Sequence, residues 1–155
     1  MSETNNPQIK RLVFDTYLAV IENSIGSKMF KNLYIEENGM KRDAMQDGWL
    51  SCAFHVSTIL YMFKFIEGIH GTVEVTVKDL KKNGWIETTE PIIGSIVVWR
   101  EGKTTNGHSH IGFYVGDNKA VSTDSWKKTV EKNDWKFDGK REVAEILWKP
   151  EISKL

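Results

Sequence analysis

Cys52 is the only cysteine among 155 residues, and it stands in the stretch Asp47-Gly-Trp-Leu-Ser-Cys52-Ala-Phe-His-Val-Ser. Val56, Ile59, Leu60 and Phe63 follow it at spacings of 4, 7, 8 and 11, which share one helical face. Phe54, Tyr61 and Phe65 make a second apolar stripe, so this helix is predicted to be buried, with Gly48 in a turn and Ser51 as N-cap. Cys52 then meets the positive end of the helix dipole, which favours thiolate over thiol. Taken alone, a cysteine on an apolar helix also reads as a small core side chain. A partner base separates the two.

That partner is His110, in the alternating run His108-Ser-His-Ile-Gly-Phe-Tyr-Val115. In a strand, residues two apart share a face, so His108, His110, Gly112 and Tyr114 line one side and Ile111, Phe113 and Val115 the core side. A bulged or three-residue turn at 116–118 sets Asp124 and Ser122 across from His110 and Gly112, whereas a two-residue turn sets Thr123 and Ser125 there. A thiol at a helix start, an imidazole on a strand and a polar group behind it make a papain-like nucleophile. The imidazole takes the thiol proton and the third residue fixes its tautomer. The Cys52 backbone N–H, in the first helical turn, is available to an oxyanion. A second chemistry uses overlapping residues: His108 and His110 share a face, and Cys52 or Asp124 would complete a zinc shell. His55 reads as a helix-surface or structural residue and His70 as a helix-end residue.

Helices and strands must hold these groups in place. Asn6 and Pro7 suit a helix start, and apolar spacing predicts an amphipathic helix over 7–24, ended by Gly26. Residues 27–47 read as a short helix or an extended strip. The Cys52 helix is expected to reach about Glu67. Thr72 to Thr76 alternates like a strand, while Thr76-Val-Lys-Asp79 resembles a capping box opening a short helix that Asn83-Gly84 terminates. Strands follow over 94–100, 108–115, 119–124 and 142–149, with a polar loop at 103–107 and a polar segment holding Trp126 and Trp135. The expected class is α+β, N-terminal helices packed on a curled antiparallel β-sheet, in one domain spanning 1–155. Trp49, Trp126 and Trp135 are candidate walls of a substrate groove.

Lysine plus arginine and aspartate plus glutamate number 21 each, so no global field attracts nucleic acid or an anionic membrane. One cysteine excludes an internal disulfide. No apolar run reaches the ~20 residues of a membrane span, and the polar N-terminus carries no signal pattern, so a cytoplasmic location is expected, or export by a route outside the sequence.

The order of features resembles the NlpC-type cell-wall cysteine peptidases, with CHAP amidases as relatives. It rests on the helix-start cysteine, Gly94-Ser-Ile-Val-Val-Trp99, His110-Ile-Gly-Phe-Tyr-Val-Gly116 and Lys119-Ala-Val-Ser122, and covers roughly residues 47 to 124. The resemblance implies a papain-like fold, no cofactor, Cys52 as nucleophile, His110 as base and Ser122 as third residue, with Asp124 as its alternative. It further implies a bacterial peptidoglycan amidase or endopeptidase acting on peptide or muropeptide substrates. The competing expectation is a non-catalytic peptide- or sugar-binding module of the same fold.

Overall fold

In the computed structural model, which describes residues 6–102 and 108–155, helices come first and an antiparallel meander follows. Helix α1 spans Val13–Asn23, and strands β1 (Tyr34–Glu37) and β2 (Met40–Asp43) form a separate hairpin. Helices α2 (Cys52–Met62) and α3 (Val73–Lys82) come next. Strands β3 (Ile86–Thr88), β4 (Ile96–Trp99), β5 (His110–Gly116), β6 (Lys119–Asp124), β7 (Thr129–Asp134) and β8 (Val143–Trp148) make one sheet in the order β3-β8-β4-β5-β6-β7. Every neighbouring pair is antiparallel. A 3-10 turn, Pro150–Lys154, closes the chain. The expected α+β class is the observed one.

Helix α2 packs on β5 and β6. Its Val56, Ile59 and Leu60 are fully buried in one core with Ile111, Phe113 and Val121. Each such side chain contributes about 1.5–3 kcal/mol when removed from water, which fixes the helix to the sheet. Tyr17 of α1 joins this core through edge contacts to Phe63, Phe65 and Phe113, and its hydroxyl donates to the Gly94 carbonyl at 2.9 Å.

Four local expectations change. Helix α1 begins at Val13 rather than near residue 7, and residues 6–12 are exposed, Ile9 at 87%. An apolar spacing with nothing to pack against does not sustain a turn of helix. The region 27–47 holds the β1–β2 hairpin, turned by Asn38 and Gly39 at φ of 53° and 77°, the left-handed pair a two-residue hairpin loop requires. Helix α2 stops at Met62, where Phe63 leaves helical geometry and Lys64 takes a φ of 60°. Residues 73–76 are helical, not a strand: Thr72 is the cap, its Oγ1 accepting from the Val75 N–H at 3.3 Å, and Thr76, Asp79 and Leu80 form the buried face. Strands β3 and β7 were not anticipated. The polar loop expected at 103–107 lies outside the described residues.

The turn after β5 settles the parity question. It is a two-residue loop, Asp117 and Asn118 at φ of 49° and 56°, but a register shift between Tyr114 and Gly116 adds one residue to β5. The register is therefore Phe113 opposite Val121. Continued along the strands, it sets Gly112 across from Ser122 and His110 across from Asp124.

Among the described residues, no helix is long and apolar enough to cross a membrane.

Candidate active site

The start of α2 is held by its approach loop. Asp43, ending β2, accepts from the Leu33, Met45 and Asp47 N–H groups and from the Asn32 amide at 2.7–3.0 Å. Desolvation alone would raise its carboxyl, but these donors outweigh it and hold the group at about 2, so the loop carries a fixed anion as its hub. Ser51 occupies the N-cap place without capping, since its Oγ donates back to the Gly48 carbonyl at 3.3 Å. The first N–H groups of α2 are thus left for other partners.

Burial pushes the Cys52 thiol up from its ordinary value. The N–H of Ile111 opposes this, followed by the N–H of Ala53, the charge of Arg141 and the N–H of Cys52 itself. Ile111 directly follows His110, so the helix start meets the beginning of β5.

His110 is buried, and its Nε2 lies 3.0 Å from Ser122 Oγ. Trp99 lies alongside the ring at 5.3 Å and Phe137 meets it edge-on at 6.0 Å. Desolvation first, then the charges of Arg141 and His55, lower the imidazole to about 3, so it is neutral at pH 7. Gly112 is what lets Ser122 come near: a Cβ there would sit 2.7 Å from the Val121 carbonyl oxygen and 2.8 Å from Ser122 Cβ. Asp124 does not take this place. Its Oδ1 accepts from the Trp126 and Lys127 N–H groups at 2.9 Å, closing the turn into β7.

A cleft of about 860 Å³ opens beside Cys52. Leu33, Ile35 and Arg42 of the hairpin form one wall, the 69–75 segment the other, and His108 and Ser109 its rim. His70 stands in that wall, in the segment between α2 and α3 rather than at a helix end, with Nε2 at 2.6 Å from Asp79 Oδ2. Trp49, Trp126 and Trp135 do not line this cleft. Trp49 packs edge-on against Trp126 at 5.1 Å, Trp126 is 81% exposed, and Trp135 packs on Tyr114 in a smaller apolar cluster with Val97 and Trp99.

His108 is exposed ahead of β5, whereas His110 is buried. Among the described residues, no group of three or more His, Cys, Asp or Glu side chains is arranged to hold a metal ion. His55 is fully buried rather than on the helix surface, between Phe30 and Phe113, with Nε2 3.0 Å from Ser24 Oγ. The Ser24 hydroxyl proton goes to the Ile21 carbonyl at 2.7 Å, so Nε2 carries the imidazole proton and Nδ1 is left without a partner.

Two residues of this neighbourhood escaped the sequence reading. Asp43 had a visible signal, an aspartate opening a turn-rich segment that ends in Asp47-Gly48. Arg141, whose guanidinium stands over the Phe137 ring that meets His110 edge-on, had none, because it sits in an irregular loop brought there only by the tertiary fold.

No family model matches the sequence, and no curated protein matches it. Among solved structures, the chain is similar to NlpC2 from Trichomonas vaginalis, with a TM-score of 0.52 over 90% of this chain. The fold is NlpC-like. The identity is 17%, and the chain spans 48% of the length of that structure, so the likeness concerns the path of the backbone. Within this NlpC-like fold the chemistry is argued from the chain's own side chains.

Proposed function

We propose that the protein is a thiol-dependent hydrolase, an amidase or endopeptidase that cleaves amide bonds in peptidoglycan-derived or other small peptides. The observation that carries this reading is the packing of the uncapped, Cys52-bearing helix α2 on β5, whose first residue, His110, has its Nε2 3.0 Å from Ser122 Oγ. With Nε2–H donating to Ser122 Oγ, Nδ1 keeps its lone pair and serves as base. The thiol proton passes to Nδ1 as sulfur bonds to the substrate carbonyl carbon. The resulting oxyanion is met by backbone N–H groups at the helix start. Collapse breaks the C–N bond, and the departing amine takes the proton from His110. Water, deprotonated by the same imidazole, then attacks the thioester, releasing the acid and restoring the thiol.

Because desolvation raises the thiol of the half-buried Cys52 and lowers the buried His110 to about 3, the reading is one of general-base attack rather than a standing thiolate–imidazolium pair. The same burial favours a second reading, a peptide-binding module whose cysteine is inert. Cys52→Ala against muropeptides and simple peptide amides separates them. Loss of hydrolysis with an unchanged circular dichroism spectrum is expected, and activity surviving the substitution ends the thiol mechanism.

A further inference from the structure

We propose that the cleft beside Cys52 selects its substrate by a neutral aliphatic side chain flanking the scissile amide, and disfavours a carboxylate or ammonium there. The inference rests on Cys52 being the nucleophile of a hydrolase, and it narrows the class of peptide that is cleaved. The cleft, about 860 Å³, has room for a short peptide segment. Aliphatic side chains line it from both sides: Leu33 and Ile35 on the hairpin, Leu50 just before α2, and Ile69, Val73 and Val75 opposite. Ile69 and Val75 are left 44% and 45% exposed. Aliphatic groups gathered around a concave opening and still in water mark a surface that a ligand covers. Among the described residues no Phe, Tyr or Trp lines this cleft, so it offers no such ring for a sugar or base to stack on.

The charged groups of the walls are matched within the protein. Arg42 donates from Nε to Glu37 Oε2 at 2.6 Å and from a terminal nitrogen to Oε1 at 3.4 Å. Glu74 accepts from Lys78 Nζ at 3.0 Å. These two exposed pairs add little stability, but each cancels its own charge, so neither wall turns a lone cation or anion toward a substrate. His70 Nε2 lies 2.6 Å from Asp79 Oδ2, and that carboxylate also accepts from the Glu67 and Gly68 N–H groups. His108 is exposed at the rim. A carboxylate or ammonium entering here loses water and gains no partner, whereas an aliphatic side chain gains in proportion to the area it buries. Both walls are preformed. The Leu33 N–H donates to Asp43 Oδ1 at 3.0 Å, and the Ala44 N–H to the Leu33 carbonyl at 2.8 Å. On the other side, Ser57 Oγ accepts from the His70 N–H at 2.8 Å and donates to the His70 carbonyl at 3.1 Å.

The test is a set of matched peptide amides that differ in a single side chain, leucine, glutamate or lysine, on either side of the cleaved bond. Binding is read by calorimetry on Cys52→Ala, and turnover by kcat/KM on wild type. The leucine peptide is expected to be bound and cleaved better than the glutamate and lysine peptides by about tenfold or more. Ile69→Glu and Val75→Glu, each added to Cys52→Ala, lie at exposed positions that the fold tolerates changing. Each is expected to lower the leucine-to-lysine affinity ratio about threefold. Equal affinity for the three peptides, or a charged one favoured, would overturn the proposal, and so would a ratio that neither variant moves. Binding reads the cleft whether or not the chain hydrolyses anything. A leucine preference in binding with no turnover by wild type would therefore sink the hydrolase reading and leave the preference standing. Cys52-dependent turnover blind to the side chain would sink only the preference, and the absence of both binding and turnover would overturn both.

Discussion

Ser122 behind His110 is a weaker orienter than a carboxylate, because a neutral hydroxyl accepts one hydrogen bond and adds no charge to hold an imidazolium. Its loss should therefore cost modestly. Ser122→Ala is expected to lower kcat about tenfold with little change in KM, the value of one neutral hydrogen bond. Steady-state kinetics on whichever peptide amide proves to be turned over checks it, and an unchanged kcat would remove Ser122 from the machinery. At this scale the sequence was informative where chemistry follows from type and position. A lone cysteine at a helix start and a histidine on an alternating strand are both visible in one dimension. The choice between Ser122 and Asp124 was not, since the two share one face of β6 and only their folded contacts tell them apart, Ser122 with His110 Nε2 and Asp124 with the Trp126 and Lys127 N–H groups. Arg141 was invisible because it joins this neighbourhood only through Phe137, whose ring partner His110 lies far away along the chain.

Between elements, the decisive contact is β5 against β6 at Gly112. Adding a methyl there drives a carbon into the Val121 carbonyl and Ser122 Cβ, both under 3 Å and both part of the neighbouring strand, so the strands must part. Gly112→Ala is expected to destabilise the fold by about 1–3 kcal/mol, and to reduce hydrolysis beyond what the fraction folded explains, because Ser122 moves away from His110. Urea melts read alongside activity at saturating folded fraction test this, and a variant as stable and active as wild type would refute it. Element types were legible where periodicity was backed by burial, as in α2 and β6, whose predicted range of 119–124 is the observed one. They failed where periodicity had no packing partner, as at residues 6–12. They failed also where the strand was polar and half-exposed, as in β7 with its Glu131, Lys132 and Asp134. The β1–β2 hairpin was announced by Asn38-Gly39, and the weak apolar pattern around it hid the signal.

Across the whole molecule, two buried histidines couple stability to pH. His55 and His110 each titrate at about 3 when folded, through desolvation, against an ordinary value of 6.5. Between those values the unfolded chain binds more protons than the folded one, so stability is fully present above pH ~6.5 and falls as the pH drops toward 3. With both groups contributing, the slope approaches about 3 kcal/mol per pH unit. The urea midpoint is expected to drop steeply from pH 7 to pH 5, and His55→Leu, which removes the unpartnered Nδ1 from the core, to roughly halve that drop. A pH-independent midpoint over this range would contradict the burial of both rings.

The central claim is that Cys52 forms a covalent acyl bond with substrate, and intact mass measurement after acid quench tests it most directly. Wild type mixed with an activated peptidyl ester is expected to gain the mass of one acyl group, localised by proteolysis to the peptide holding Cys52, with no gain in Cys52→Ala. Turnover of the ester with no adduct on that peptide, and equal turnover by Cys52→Ala, would contradict it.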